Sequence, residues 1–184
     1  MANALRRRRA HLALVAGLAV AALALPAGLS PSPRLAWNAS RSMPLGLYRV
    51  RPGAPVEPGD AVLVWLPPAA RALAARRGYL PASVPAVKRI AAAAGTRVCA
   101  RGAGISIDGR RVATRLAADL RGRPLPWWRG CRRLWTNEIF LLVAASPGSF
   151  DGRYFGPSPR ADVIGRARLL WAPDGAARRQ ERRR

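Results

Sequence analysis

The sequence has few of the side chains on which many hydrolases and metalloproteins rely. Its 184 residues include one His, two Cys and nine acidic residues. The His, His11, lies in a long uncharged segment near the N-terminus, which excludes a Ser-His-Asp triad and a His-containing zinc site from the rest of the chain. Two Cys do not complete a zinc site by themselves, so neither a metal nor another cofactor is predicted. No Gly-x-Ser-x-Gly elbow, P-loop or dinucleotide fingerprint is present.

Lysine is almost as rare, although basic residues are abundant. Lys88 is the only Lys among 32 basic residues. A Lys retained in a chain that otherwise uses Arg suggests chemistry that Arg cannot perform, because a buried Lys can lose its proton near neutral pH. The plain alternative is a surface Lys left by chance. Lys88 lies in an apolar, strand-like segment, Val84 to Ala92, which favours burial.

The net charge of +23 is extreme, but much of it lies at the two ends of the chain. Such runs are more often solvated tails than nucleic-acid readers. No nucleic-acid motif lies between them, and no nucleic-acid partner is expected. The alternative left open is a non-catalytic envelope protein whose basic surface binds anionic lipid or nucleic acid.

The N-terminus has the features of a membrane anchor. Arg6–Arg9 precede an uncharged run whose apolar centre, Leu12 to Leu29, would form a helix of about 27 Å, close to the thickness of a bilayer core. The positive-inside rule places the N-terminus in the cytoplasm. The sequence therefore predicts a single-pass protein of the inner membrane with its folded domain on the extracytoplasmic side. A cleaved signal peptide, with a small-residue site at Ala22-Leu23-Ala24, is the competing interpretation.

Cys99 and Cys131 both follow the predicted anchor. On the exported side of a membrane disulfides persist, so these two Cys are predicted to pair. Two buried thiols in a reducing compartment are the alternative.

The composition predicts a mainly β, antiparallel domain with one short helical insertion over Pro68 to Arg77. Short apolar runs alternate with Gly and Pro turns, and Asp108-Gly109 predicts a tight hairpin. The predicted organisation is a basic tail (1–9), an anchor (10–29), a Pro/Ser tether (30–36), the folded domain (37–173) and a disordered basic tail (174–184).

With His excluded, a Ser nucleophile activated by Lys remains for hydrolytic chemistry. Ser40 and Ser42 precede Pro44 in a turn that leads into a predicted strand. Ser42 can attack a carbonyl, while the Ser40 hydroxyl and the backbone N–H of Ser42 can donate to the oxyanion. Taken alone, such a pair of Ser residues is usually only a turn. A Ser-x-x-Lys enzyme of the penicillin-binding type is disfavoured because Pro85 stands three residues before Lys88.

Four segments, in order, resemble the boxes of the signal peptidases, and most closely the TraF-type peptidases of conjugative transfer. The first is similar to the nucleophile box and the third to the box of the general-base Lys. The segments are Ser40–Tyr48, Pro58–Val62, Val87–Gly95 and Ser149–Pro157, the last followed by Ile164–Ala167.

The resemblance implies a membrane-anchored serine endopeptidase with a dyad of Ser42 and Lys88. Ser40 would contribute to the oxyanion hole, and the substrate would bind as an added strand. Its substrates would be exported precursor proteins, including pilins that some members cyclise, and type IV secretion components are possible partners.

The chain departs from the general signal peptidases in the last box, which there reads Asp-Ser-Arg and supplies a Ser that helps orient the Lys. Here the sequence is Asp151-Gly152-Arg153, so another group must orient Lys88. Asp151 is the candidate, and a structural ion pair of Asp151 with Arg153 is the alternative.

Overall fold

The computed structural model describes residues 6–8, 11–20 and 32–173. The chain divides into two units, Met1–Ser32 and Pro33–Arg184. In the first unit, residues 6–8 and 11–20 are helical and exposed. No helix within the described residues has the length and hydropathy needed to cross a membrane. Residues 10 and 21–29 of the predicted anchor, and the predicted C-terminal tail, lie outside the described residues.

Over its described residues, 33–173, the second unit is built mainly from eleven β-strands in two antiparallel sheets. In chain order the strands are β1 (Leu35–Asn38), β2 (Gly46–Pro52), β3 (Ala61–Val64), β4 (Ala86–Ala92), β5 (Arg97–Arg101), β6 (Gly104–Ile107), β7 (Arg110–Thr114), β8 (Gly130–Arg133), β9 (Glu138–Leu141), β10 (Ser158–Pro159) and β11 (Val163–Trp171). Two helices, α1 (Pro68–Arg76) and α2 (Gly152–Phe155), and a 3₁₀ turn over Arg160–Asp162 complete the unit.

The larger sheet has the order β1-β2-β11-β3-β4-β9-β10, and the smaller one has the order β7-β6-β5-β8. Strand β2, the second strand from one edge of this sheet, alternates, with Tyr48 and Val50 buried and Arg49 exposed, as expected for a strand with one solvated face. The central strand β3 is buried at three consecutive residues, Val62 to Val64. Core residues therefore cover both faces of the centre of the larger sheet, because Leu63 belongs to one apolar cluster and its neighbours Val62 and Val64 belong to another.

The prediction of a mainly β, antiparallel domain is confirmed, and the predicted helical insertion is present as α1, whereas the short helix α2 was not predicted. Helix α1 begins at Pro68 and is followed by Gly78 with a positive φ of 71°, in agreement with the Pro-start and Gly-end signals. Asp108 and Gly109 both have positive φ, and the flanking residues Ile107 and Arg110 pair as expected for a two-residue hairpin.

Strand β1 was not predicted. It begins at Leu35, inside the segment assigned to the tether, and pairs with β2 from Leu35 opposite Arg49 to Asn38 opposite Gly46. The Pro and Ser residues that precede Leu35 are typical of a tether, so the local sequence does not indicate a strand. The strand is stabilised by its pairing with β2. This strand delivers the chain directly to the two candidate serines.

The predicted disulfide is present. Cys99 on β5 and Cys131 on β8 lie directly opposite each other in the smaller sheet and are bonded. The bridge closes a segment with a sequence separation of 32 residues. It therefore ties the two strands that flank the connection through β6 and β7.

Replacing both Cys99 and Cys131 with Ala is expected to lower the free energy of unfolding by about 2–4 kcal/mol, because the unfolded chain gains the entropy that the closed loop removes. Urea denaturation of the two proteins would measure the difference. Wild-type protein in a reducing agent serves as the control and should approach the double variant. Equal unfolding midpoints for the oxidised wild type and the variant would contradict this role of the bridge.

Candidate active site

The loop between β1 and β2 carries Ser40 and Ser42 and is held by the residue that precedes it. The Asn38 side chain is buried at the end of β1. Its amide nitrogen donates to the backbone carbonyls of Ser40, Met43 and Pro44 at 2.9–3.1 Å. Its carbonyl oxygen accepts from the backbone N–H and the hydroxyl of Ser40. The two hydroxyls are therefore presented by a loop with a defined shape.

Lys88 lies in the middle of β4, one of the central strands of the larger sheet. It pairs with Val62 of β3 and is only 6% exposed. Its strand neighbours Val87 and Ile90 are buried as well. The apolar strand pattern around Lys88 indicated this burial.

The Lys88 amine meets both a candidate nucleophile and a second hydroxyl. Lys88 Nζ lies 3.1 Å from Ser42 Oγ and 3.1 Å from Ser149 Oγ. Ser42 Oγ lies 2.8 Å from Ser40 Oγ. Within residues 32–173, Lys88 forms no ion pair with a carboxylate. The amine is therefore surrounded by neutral hydroxyl partners.

This environment favours the neutral form of the amine. Burial lowers the pKa of Lys88 from 10.5 to about 8, because a charged ammonium loses its hydration in the interior. The negative charge of Asp151 opposes this decrease in pKa, and the positive charge of Arg153 adds to it. A substantial fraction of Lys88 can consequently accept a proton in mildly alkaline solution.

Asp151 and Arg153 form a buried ion pair next to the amine. Asp151 Oδ1 accepts from Arg153 Nε at 2.8 Å, and Asp151 Oδ2 accepts from the backbone N–H of Val143 at 3.0 Å. The guanidinium of Arg153 also donates to the carbonyls of Val143 and Pro147. The pair therefore fastens both ends of the segment that leads to Ser149.

The group within hydrogen-bond distance of Lys88 on this side is Ser149, which belongs to the last box but was not predicted as a site residue. Asp151, the residue put forward for orienting Lys88, directs its hydrogen bonds to Arg153 and Val143 instead. The sequence does contain a feature that points to Ser149 as a site residue, because Ser149 is the first residue of the segment that resembles the last box of the family.

The glycine in this segment has a steric cause. A Cβ atom at Gly152 would lie 2.7 Å from the carbonyl oxygen of Leu141 and 2.9 Å from the Phe140 ring. The Gly152 carbonyl also accepts a hydrogen bond from the Trp128 indole at 2.9 Å. A Ser side chain at this position therefore has no room, and the hydroxyl beside Lys88 comes from Ser149.

A largely apolar cleft of about 960 Å³ opens at the hydroxyl groups and the amine. One side is the outer edge of β1, and the other sides come from the segment before β4, the residues after α1 and the segment that carries Ser149. Apolar side chains that line it include those of Leu66, Leu80, Val84, Leu116, Leu125 and Phe150. A cleft of this volume can hold several residues of an extended peptide with its backbone close to Ser42.

Known proteins with similar sequences indicate the family of this chain. The sequence model described as "Signal peptidase, peptidase S26" matches residues 7–172. A plasmid transfer protein TraF of Escherichia coli is 37% identical over 138 residues, which cover 69% of this chain and 77% of that protein. A probable conjugal transfer protein TraF of Sinorhizobium fredii is 37% identical over 186 residues, which cover 91% of this chain and 95% of that protein.

Among solved structures, a signal peptidase I of Enterococcus faecalis matches with a TM-score of 0.37 and 18% identity. The match covers 61% of this chain and 97% of that chain.

Proposed function

The chain belongs to the signal peptidase family, peptidase S26, and we propose that it is a serine endopeptidase with Ser42 as nucleophile and Lys88 as general base. The observation that carries the proposal is the distance of 3.1 Å between Ser42 Oγ and Lys88 Nζ, with the amine buried and its pKa lowered. Nucleophile and base within hydrogen-bond distance are the geometric requirement of this chemistry.

In the first step neutral Lys88 accepts the proton of the Ser42 hydroxyl as Oγ attacks the scissile carbonyl. The C–O bond forms, and the negative charge moves to the carbonyl oxygen. The Ser40 hydroxyl, 2.8 Å from Ser42 Oγ, and the backbone N–H of Ser42 donate hydrogen bonds to that oxyanion. For this, the Ser40 hydroxyl turns its single proton from Asn38 Oδ1 to the oxyanion, whereas the backbone N–H has a fixed direction.

Collapse of the tetrahedral intermediate breaks the C–N bond, and protonated Lys88 gives its proton to the leaving amine. The product is an ester between Ser42 and the N-terminal part of the substrate. Water then attacks this acyl-enzyme, with Lys88 again acting as base and Ser42 as leaving group. An amine of the substrate in place of water would give a cyclic product.

Ser149 orients Lys88 in this scheme. A neutral amine has one lone pair, which must face Ser42 for the proton transfer. An N–H of Lys88 donating to Ser149 Oγ, 3.1 Å away, fixes the rotation of the amine. Asp151 and Arg153 act one step further away, by holding the segment that carries Ser149. Ser40 thus contacts the nucleophile of the dyad, and Ser149 contacts its base.

The substrates proposed are exported precursor proteins of a conjugative transfer system. Relatives similar to most of this chain are named plasmid or conjugal transfer proteins. The outer edge of β1 borders the cleft and can pair with an extended peptide, which places a peptide bond next to Ser42. Residues 10–29 are proposed to anchor the protein in the inner membrane, with the peptidase domain outside the cytoplasm.

The proposal is tested by incubating the purified protein with exported precursors from the same cell and sequencing the products by mass spectrometry. We expect new termini with wild type and none with Ser42→Ala. A cyclic product would differ from the linear product by the mass of one water. Precursors left intact by wild type, together with tight binding to anionic vesicles, would favour the non-catalytic envelope protein.

The rate should also depend on pH in a defined direction. Lys88 carries a proton below its pKa of about 8 and cannot act as a base, whereas above it the amine is neutral. We therefore expect kcat/KM to increase about tenfold per pH unit below this value and to level off above it. Measurement of kcat/KM against a precursor peptide over this range, with a melting curve at each pH, gives the profile. A rate that is constant through this range would contradict a titrating Lys88 base.

A further inference from the structure

We infer that Asn38 is a positioning residue that sets the places of the Ser40 and Ser42 hydroxyls by binding both ends of their loop. The inference rests on the proposed function, because it concerns how the proposed nucleophile and oxyanion donor are held. Asn38 does not contact Lys88, and its effect on the reaction passes through Ser40.

The donor side of Asn38 joins the two ends of the loop. Asn38 pairs with Gly46 in the β1–β2 register, so it stands at the base of the connection 39–45. Its amide nitrogen has two hydrogens and lies 2.9 Å from the Ser40 carbonyl, 3.1 Å from that of Met43 and 2.9 Å from that of Pro44. A single side chain therefore draws three backbone carbonyls toward one point.

The acceptor side of Asn38 binds Ser40 twice. Its Oδ1 accepts from the Ser40 backbone N–H at 3.2 Å and from Ser40 Oγ at 3.1 Å. The orientation of the amide is determined, because the reverse orientation would set Oδ1 against three carbonyl oxygens. An Asp would create the same repulsion. The pattern of donors and acceptors in the loop thus requires an amide at this position.

A second hydrogen bond to the loop provides a matched comparison. The Tyr48 hydroxyl donates to the carbonyl of Pro44 at 2.9 Å, and burial raises the pKa of Tyr48 to about 12, so the hydroxyl keeps its proton. Tyr48 binds the end of the loop away from Ser40. Its loss should loosen the loop without removing the acceptor for the Ser40 hydroxyl.

The acceptor also couples Asn38 to the protonation of Lys88 through a row of hydroxyls. Lys88 Nζ lies 3.1 Å from Ser42 Oγ, which lies 2.8 Å from Ser40 Oγ. Ser40 Oγ in turn lies 3.1 Å from Asn38 Oδ1. When Lys88 is charged, its ammonium donates to Ser42 Oγ. The Ser42 hydroxyl then donates to Ser40 Oγ, and the Ser40 hydroxyl donates to Asn38 Oδ1. Removing this acceptor disfavours the charged state. The other charges that face Lys88 are those of Asp151 and Arg153, and they do not change.

The test compares Asn38→Ala with wild type and with Tyr48→Phe against one precursor peptide. For Asn38→Ala we expect kcat to fall by about 10- to 100-fold with KM within about twofold, as for a small misplacement of reacting groups. The rising limb of the pH–kcat/KM profile should also move to lower pH. Tyr48→Phe should lose less activity and leave the limb in place.

Asn38→Gln is the second variant, and it replaces Asn38→Ala in the test if the latter does not fold. It keeps the amide but adds one methylene, which displaces the amide from the loop, so a similar loss of kcat is expected. Wild-type kcat in either folded variant, or a loss of kcat with an unmoved limb in folded Asn38→Ala, would overturn the inference while leaving the peptidase intact. A wild-type protein that cleaves no precursor would overturn the proposed function and this inference together.

Discussion

Ser42→Ala is expected to reduce kcat by about a million-fold, the scale found when the nucleophile of a serine peptidase is removed. Without the hydroxyl no acyl-enzyme forms, and the remaining donors can only polarise the substrate carbonyl. The fold should not suffer. Lys88 keeps its hydrogen bond to Ser149, and Ser40 keeps its hydrogen bonds to Asn38. Cleavage of a precursor peptide, followed by chromatography, measures the rate, and a melting curve checks the fold.

Ser40→Ala is the matched control for this change. It removes a neighbouring hydroxyl from the same loop but leaves the proposed nucleophile in place. The loss of one oxyanion donor should cost about 100- to 1,000-fold in kcat. A folded Ser42→Ala variant that kept wild-type turnover, or one no worse than Ser40→Ala, would contradict the assignment of the nucleophile.

Lys88→Arg is expected to be as inactive as Lys88→Met, with losses of about 10,000-fold or more in kcat for each. Arg keeps a positive charge but cannot accept the Ser42 proton, and Met keeps the apolar stem without any base. The two variants should differ in stability. Met avoids the desolvation of an amine, whereas Arg places a permanent charge near buried Arg153. Melting temperatures should therefore be ordered with Met above Arg.

The outcome separates two roles for the one Lys of the chain. If Lys88 served only as a positive charge, Arg would substitute for it, as it does throughout the rest of this sequence. Substantial activity in Lys88→Arg would therefore remove the general base from the mechanism. The same peptide assay and enzyme concentration should be used for both variants, so that KM and kcat can be separated.

The sequence carried most of the information on Lys88, because its signal is local. An isolated Lys in a chain rich in Arg fits either a buried amine or a surface Lys left by chance, and the apolar run of strand length around it favours burial. The burial of Lys88 then follows from the central place of β4 in the sheet. Its distance to Ser42 follows from the fold, since 46 residues separate them along the chain.

Ser149 and Asn38 show where reasoning from sequence was insufficient. Ser149 reaches Lys88 across 61 residues, through a segment that the Asp151–Arg153 pair holds in place. Asn38 gains its contacts from the return of its own loop, on a strand that exists only through pairing with β2. Residue types alone do not reveal such contacts, because they arise when distant backbone carbonyls and hydroxyls meet in the folded chain.

Gly152 illustrates a different difficulty. The sequence showed a Gly where general signal peptidases have a Ser, which suggested a missing partner for Lys88. In the structure a Cβ atom at Gly152 would collide with the Leu141 carbonyl and the Phe140 ring. The difference in sequence is therefore a packing feature, and a hydroxyl from Ser149 already lies beside the amine.

The central claim, that Ser42 forms the covalent bond to the substrate, is tested most directly by trapping the acyl-enzyme. Wild-type protein mixed with a precursor peptide and quenched in acid should show an added mass equal to that of the N-terminal fragment less one water, and peptide mapping should place the ester on Ser42. Ser42→Ala treated identically should show no adduct. Product formation with the adduct on a residue other than Ser42, or an equal adduct in Ser42→Ala, would contradict this claim.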